Sequence, residues 1–129
     1  MISYKMKHIL GMARGIVVVD ENLVGLKEFL ENKNIKVIAV PRNIEDTEIR
    51  DKLLFHRIFI TNNSKDFIKD AIEKQYGIIA TEYLDFKDSE HLSKIISDAI
   101  IDFDLWSMKA GFILELKSDN SHNLKILKG

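Results

Sequence analysis

Two hydrophobic periods alternate along this chain, and their alternation predicts the fold. Residues 16–19 form a continuous β-branched run, the pattern of a strand buried on both faces. Leu23, Leu26, Phe29 and Leu30 then recur at three- and four-residue spacing, which predicts an amphipathic helix over residues 22–33. Asn32 and Asn34 supply a turn, and residues 35–40 read as a second strand closed by Pro41. Asp46 or Thr47 is placed to cap a short helix whose apolar side carries Ile49, Leu53 and Leu54. A third strand spans residues 57–60 and breaks at Thr61-Asn62-Asn63-Ser64. Phe67, Ile68, Ala71 and Ile72 mark another helix, and residues 77–80 a fourth strand. Leu92, Ile95, Ile96, Ala99, Ile100 and Phe103 define a long helix from about Ser89. The tail changes character: residues 112–116 and 124–127 flank Ser118-Asp119-Asn120-Ser121 and read as a terminal strand pair.

Strand–helix alternation of this kind predicts an α/β domain, a mainly parallel sheet with helices on both faces and right-handed crossovers. Residues 16–129 are expected to be that single domain, with residues 1–15 an extension ahead of the first strand. The basic residues of the extension, Lys5, Lys7 and Arg14, suggest targeting, but its apolar runs are too short and broken for a signal-peptide core. No apolar stretch approaches the roughly 20 residues of a membrane span, and a cytoplasmic protein is expected.

Composition narrows the chemistry. With a net charge of -1 there is no global positive field to recruit nucleic acid, although a local patch would suffice. The absence of cysteine excludes disulfides and thiolate metal sites. His8, His56, His91 and His122 lack ligand-like spacing, which disfavours zinc. No G-x-G-x-x-G motif, P-loop or nucleophile elbow is present. Leu105-Trp106-Ser107-Met108, after the long helix, is a candidate apolar partner surface.

Asp20 is the position that draws the eye. A carboxylate at the C-terminal end of a buried strand stands where open α/β sheets place their ligands, and it needs a cation or donors to be buried cheaply. Asp46 and Glu48 after the second strand, and Asn63 and Asp66 after the third, converge on the same edge. Oxygen donors from several strand ends suit Mg²⁺ or Mn²⁺, which lets water attack a phosphodiester. The same residues have plainer uses: Asp46 with Glu48, Ser64 or Asp66, and Asp20 can each serve a helix start.

These segments resemble a known family. Val19-Asp20-Glu21-Asn22-Leu23 is similar to the L-D-E-N-L opening of compact PIN-like proteins, relatives of VapC-type toxin nucleases. Ile44-Glu45-Asp46-Thr47-Glu48-Ile49 resembles their S-D-x-E-I helix start, Arg57 to Asn62 their R-V-L-V-T-x strand, Lys65-Asp66-Phe67 their x-D-F ending and Gly77-Ile78-Ile79 their G-V-I strand. The resemblance covers residues 16–127. It implies a three-layer α/β/α PIN-like fold with a C-terminal strand pair, and a metal-dependent endoribonuclease, a hydrolase that is often the toxin of a toxin–antitoxin pair. Carried over by position, Asp20, Asp46 and Asp66 are the catalytic acids. Asp20, Asp46, Glu48, Asn63 and Asp66 are the ligands of Mg²⁺ or Mn²⁺, and Thr61, Asn22, Lys65 and Arg42 contact substrate, with Arg50 a further candidate. RNA, an antitoxin protein and a second copy of the chain are the partners implied. The family pattern T-x-D-x-D-F is broken here, where Asn63 stands near the first expected aspartate and one extra residue precedes Asp66. An amide ligates without charge, so a PIN-like binding module without catalysis, acting through a protein partner, is the alternative. A phosphoacceptor receiver is a third reading, carried by Val17-Val18-Val19-Asp20.

Overall fold

A computed structural model of the chain describes residue 12 and residues 14–41, 53–84, 88–109, 111–119 and 121–127. Its elements, in chain order, are β1 (Ile16–Val19), α1 (Leu26–Glu31), β2 (Lys36–Ala39), β3 (Ile58–Thr61), α2 (Ile68–Lys74), β4 (Gly77–Ala80), α3 (Ser89–Asp102), β5 (Phe112–Leu116) and β6 (His122–Ile126). The strands form one sheet in the order β2-β1-β3-β4-β5-β6. All neighbours are parallel except β5 and β6, which run antiparallel with Leu114 opposite Leu124. The expected mainly parallel sheet with a terminal strand pair is therefore present.

Alternation along each strand sends side chains to two separate cores. Val17, Val19, Ile58, Ile60, Ile79 and Leu114 meet Leu26 and Leu30 of α1 and Leu92, Ile96 and Ile100 of α3 on one face. On the other, Val18, Phe59, Ile78 and Ile113 meet Leu54, Phe67, Ala71 and Tyr76 beside α2. Both faces being covered gives three layers, α/β/α, and explains why β1, β3 and β4 read as unbroken apolar runs rather than as alternating ones. Each fully buried Val, Ile or Phe in these layers contributes about 1.5–3 kcal/mol.

The details depart from the sequence reading in places. The helix expected over residues 22–33 is divided: a 3-10 turn at Glu21–Leu23 precedes α1, which starts only after Gly25. Met12 is buried in the first core, so packing begins ahead of residue 16. Leu105 is fully buried, and Trp106 and Met108 pack partly buried against the same core, so this segment does not offer the free apolar surface expected of it. The helix expected around Ile49 and its cap at Asp46 or Thr47 lie outside the described residues. Among the described residues no helix is long and apolar enough to cross a membrane.

Candidate functional site at the strand ends

Strand order locates the site before any side chain is considered. The chain leaves β1 for β2 on one side, and after β3 it proceeds to β4 and β5 on the other. In doubly wound sheets a ligand crevice opens at such a reversal, outside the C-terminal ends of the two central strands. Here those strands are β1 and β3, and the residues at their ends are Asp20 and Thr61.

The two are joined across the crevice. The Thr61 hydroxyl donates to Asp20 Oδ2 at 2.8 Å, and the Glu21 amide donates to Asp20 Oδ1 at 2.8 Å. Thr61 Oγ1 in turn accepts from the Asn63 amide at 3.0 Å. The backbone holds both residues in place, with Asp20 N donating to Ile60 O and Thr81 N to Thr61 O, each at 3.0 Å. Thr61 is completely buried and Asp20 half-buried, so a fixed carboxylate faces the crevice with one donor on each oxygen. Each oxygen keeps a lone pair free for a cation or a substrate donor. The alternative role foreseen for Asp20 is also real, because it is the N-cap of the Glu21–Leu23 turn.

The other expected ligands fare differently. Asp66 and Asn63 are exposed and bound to each other, the Asn63 amide nitrogen donating to Asp66 Oδ2 at 2.6 Å. That contact directs the Asp66 carboxylate to its own loop. Lys65 and Asn22 are exposed at the same edge. Asp46, Glu48, Arg42 and Arg50 lie outside the described residues. Among the described residues no three His, Asp or Glu side chains stand together as a group able to hold a metal ion. Among the described residues Asp20 is thus the one expected ligand whose carboxylate is anchored at the end of a strand.

One acid escaped the sequence reading. Glu82, two residues beyond β4, accepts from the Ser64 amide at 3.0 Å and the Ser64 hydroxyl at 2.6 Å, both through Oε2. Its Oε1 is buried without any hydrogen-bond partner. An acceptor left in that state costs about 1–3 kcal/mol, an expense typical of functional edges rather than of packing. The signal was present in the parallel alignment: once β3 and β4 are neighbours, Ala80 pairs with Thr61 and residue 82 must emerge at the same edge.

Beside Asp20 an open cleft of about 550 Å³ runs between the turn after β1, the ends of β3 and β4, and the start of α3. Asn22, Asn62, Glu82 and Ser89 supply its polar lining, and Leu23 and Leu84 part of its apolar lining. Gly25 borders it closely, since a Cβ there would stand 3.0 Å from Ser89 Oγ.

The receiver reading loses its chemistry here. Its phosphoacceptor would have to end β3, and that strand ends in Thr61. Compared with known proteins, the chain matches no family model, no curated protein and no solved structure.

Proposed function

We propose that this chain is a divalent-metal-dependent endoribonuclease of PIN-like type, working at the crevice between β1 and β3. The observation that carries the reading is the Asp20–Thr61 hydrogen bond across the reversal of strand order, which presents a held carboxylate where such sheets bind ligands. The resemblance of residues 16–127 to PIN-like proteins supplies the reaction. In this reading Asp20 is joined by Asp46 and Glu48 in holding Mg²⁺ or Mn²⁺, and the ion supplies charge neutralisation and an acidified water for phosphodiester hydrolysis.

This chain's own residues prepare the site. Thr61 and the Glu21 amide fix both oxygens of Asp20, so the carboxylate loses little freedom on meeting a ligand. The Asn63 amide fixes the Thr61 hydroxyl in turn. Lys65, exposed on the loop after β3, would contact an RNA phosphate in this reading, and Arg42 and Arg50, which lie outside the described residues, are further candidates from the sequence. The action on RNA as a toxin restrained by an antitoxin, with a homodimer as the assembled form, belongs to the same proposal.

Incubation of purified protein with single-stranded RNA and Mn²⁺ or Mg²⁺ tests it. Cleavage that stops with chelator and drops about 100-fold or more in Asp20→Asn is expected. Absence of cleavage over a varied RNA panel, or equal cleavage by Asp20→Asn, would sink it. A second reading, a PIN-like module that binds a protein partner without catalysis, is favoured by one contact: Asn63 brings no charge and occupies the Asp66 carboxylate.

A further inference from the structure

We propose that β6 is the interface for a second copy of this chain, whose own β6 pairs with it antiparallel about Leu124, so that one sheet runs through both copies. Such pairing gives the homodimer named above its surface, and it holds whether or not the chain cuts RNA.

Hydrogen-bond parity fixes which residues of β6 face outward. The β5–β6 pair is closed at its ends by Leu127 N donating to Gly111 O at 2.8 Å and Lys117 N donating to Ser121 O at 3.1 Å. Between them the register is unbroken from Phe112 opposite Ile126 to Leu116 opposite His122. Bonded and non-bonded pairs alternate along an antiparallel ladder, so Asn123 and Lys125 turn their backbone groups to β5. His122, Leu124 and Ile126 therefore turn theirs away from the sheet. The strand order ends at β6, and His122, Lys125 and Ile126 are exposed along it. Within β6 neither a proline nor a bulge blunts this row of donors and acceptors.

The outward row is self-complementary. A two-fold axis at Leu124 sets Leu124 against its own copy and His122 against Ile126 of the second copy, and every pair so made is of the bonded kind. Side chains agree with the backbone. Ile126 is 46% exposed, and the axis brings it beside His122 of the other copy. His122 stands edge-on to Phe103, with ring centroids 4.6 Å apart. Both rings border an open recess of about 190 Å³ that Ile95, Ala99 and Leu116 also line. An exposed apolar side chain and a recess with apolar walls thus meet once on each side of the axis. On the other face of the strand, Lys125 falls opposite Asn123 of the second copy rather than opposite a second lysine. Asn123 Nδ2 donates to Glu115 Oε1 at 3.2 Å, so each lysine stands in line with a carboxylate of the other copy.

Sedimentation velocity of the full chain, up to about 200 µM because small interfaces are weak, reads the association directly. A concentration-dependent dimer is expected in the wild type. Ile126→Lys alters an exposed side chain and should weaken the dimer about ten-fold or more while leaving the melting temperature unchanged. Leu124→Pro removes an outward donor without breaking a bond to β5, and should abolish the dimer. Because the sequence holds no cysteine, Leu124→Cys places a single thiol on the axis, where bonded pairs lie about 5.5 Å apart, within reach of a disulfide. Mild oxidation should join its two copies, whereas Lys36→Cys, on the strand at the opposite end of the sheet, should stay monomeric. A wild type that is monomeric throughout, or a dimer that both Ile126→Lys and Leu124→Pro leave equally strong, overturns the proposal. So does cross-linking through Lys36→Cys but not through Leu124→Cys. RNA cleavage by a monomer would discard the interface and retain the nuclease reading, and a β6 dimer that cuts no RNA would do the reverse.

Discussion

Thr61 shows how much one hydroxyl can organise. It is completely buried, donates to Asp20 and accepts from the Asn63 amide, so its removal strands a donor and releases a carboxylate at once. Thr61→Val keeps the side-chain shape and is expected to cost about 1–3 kcal/mol in denaturant unfolding. It should also lower metal-dependent RNA cleavage about ten-fold through the loosened Asp20, while Thr61→Ser restores both. His56 is a second instructive residue. It sits at φ +53°, its Nδ1 is buried without a hydrogen-bond partner, and burial depresses its pKa below the ordinary histidine value. A depressed pKa means that the unfolded chain takes up the proton first, so the associated stability is present above the unfolded pKa and lost as pH falls through the folded one. Melting temperature should therefore decline as pH drops below about 6.5, and His56→Asn, which tolerates the left-handed backbone, should flatten that decline. An unchanged pH profile in the variant would assign the slope to other groups.

Elements were legible in the sequence to the degree that burial made their pattern loud. β4 and β5 match their expected bounds because both strands lie within the sheet and nearly every residue is buried. The long helix α3 announced itself at Ser89, with Asp88 as its cap and Leu92, Ile96 and Ile100 facing the core. β6 was displaced by two residues from its expected start, since it is an edge strand whose HNLKI sequence carries little hydrophobic signal. The division of the first helix into a 3-10 turn and α1 was concealed by the three-and-four spacing of its apolar residues, which both pieces share. Asp20 was legible from its place at a strand end, but Glu82 was not, because its importance arises from the pairing of β3 with β4 and from the Ser64 contacts. At this scale Gly77 makes the sharpest prediction. A Cβ at that position would stand 2.1 Å from Phe112 Cε2, and Phe112 is fully buried in the adjoining strand. Gly77→Ala should destabilise the protein by about 1–3 kcal/mol or more, and Phe112→Leu in the same chain should recover part of that loss. Additive losses in the double variant would show that the ring is not what Gly77 accommodates.

For the whole molecule, the proposed function rests on where strand order reverses. Two cores hold the six strands level, and the parallel arrangement brings the ends of β1, β3 and β4 to one edge. No individual element carries a site, yet their convergence brings Asp20, Thr61 and Glu82 to one edge of the sheet. Strand order itself was not legible in the linear pattern, because hydrophobic runs specify that strands are buried but not which strands are neighbours. This edge, with Asp20 as its anchor, is proposed to hold a divalent cation. Calorimetric titration of Mn²⁺ into the wild-type protein and into Asp20→Asn tests it most directly. Asparagine retains the turn-capping role, so both proteins should fold alike. Saturable binding in the wild type that disappears in Asp20→Asn is the predicted result. No binding in the wild type, or equal binding in both, would contradict the claim.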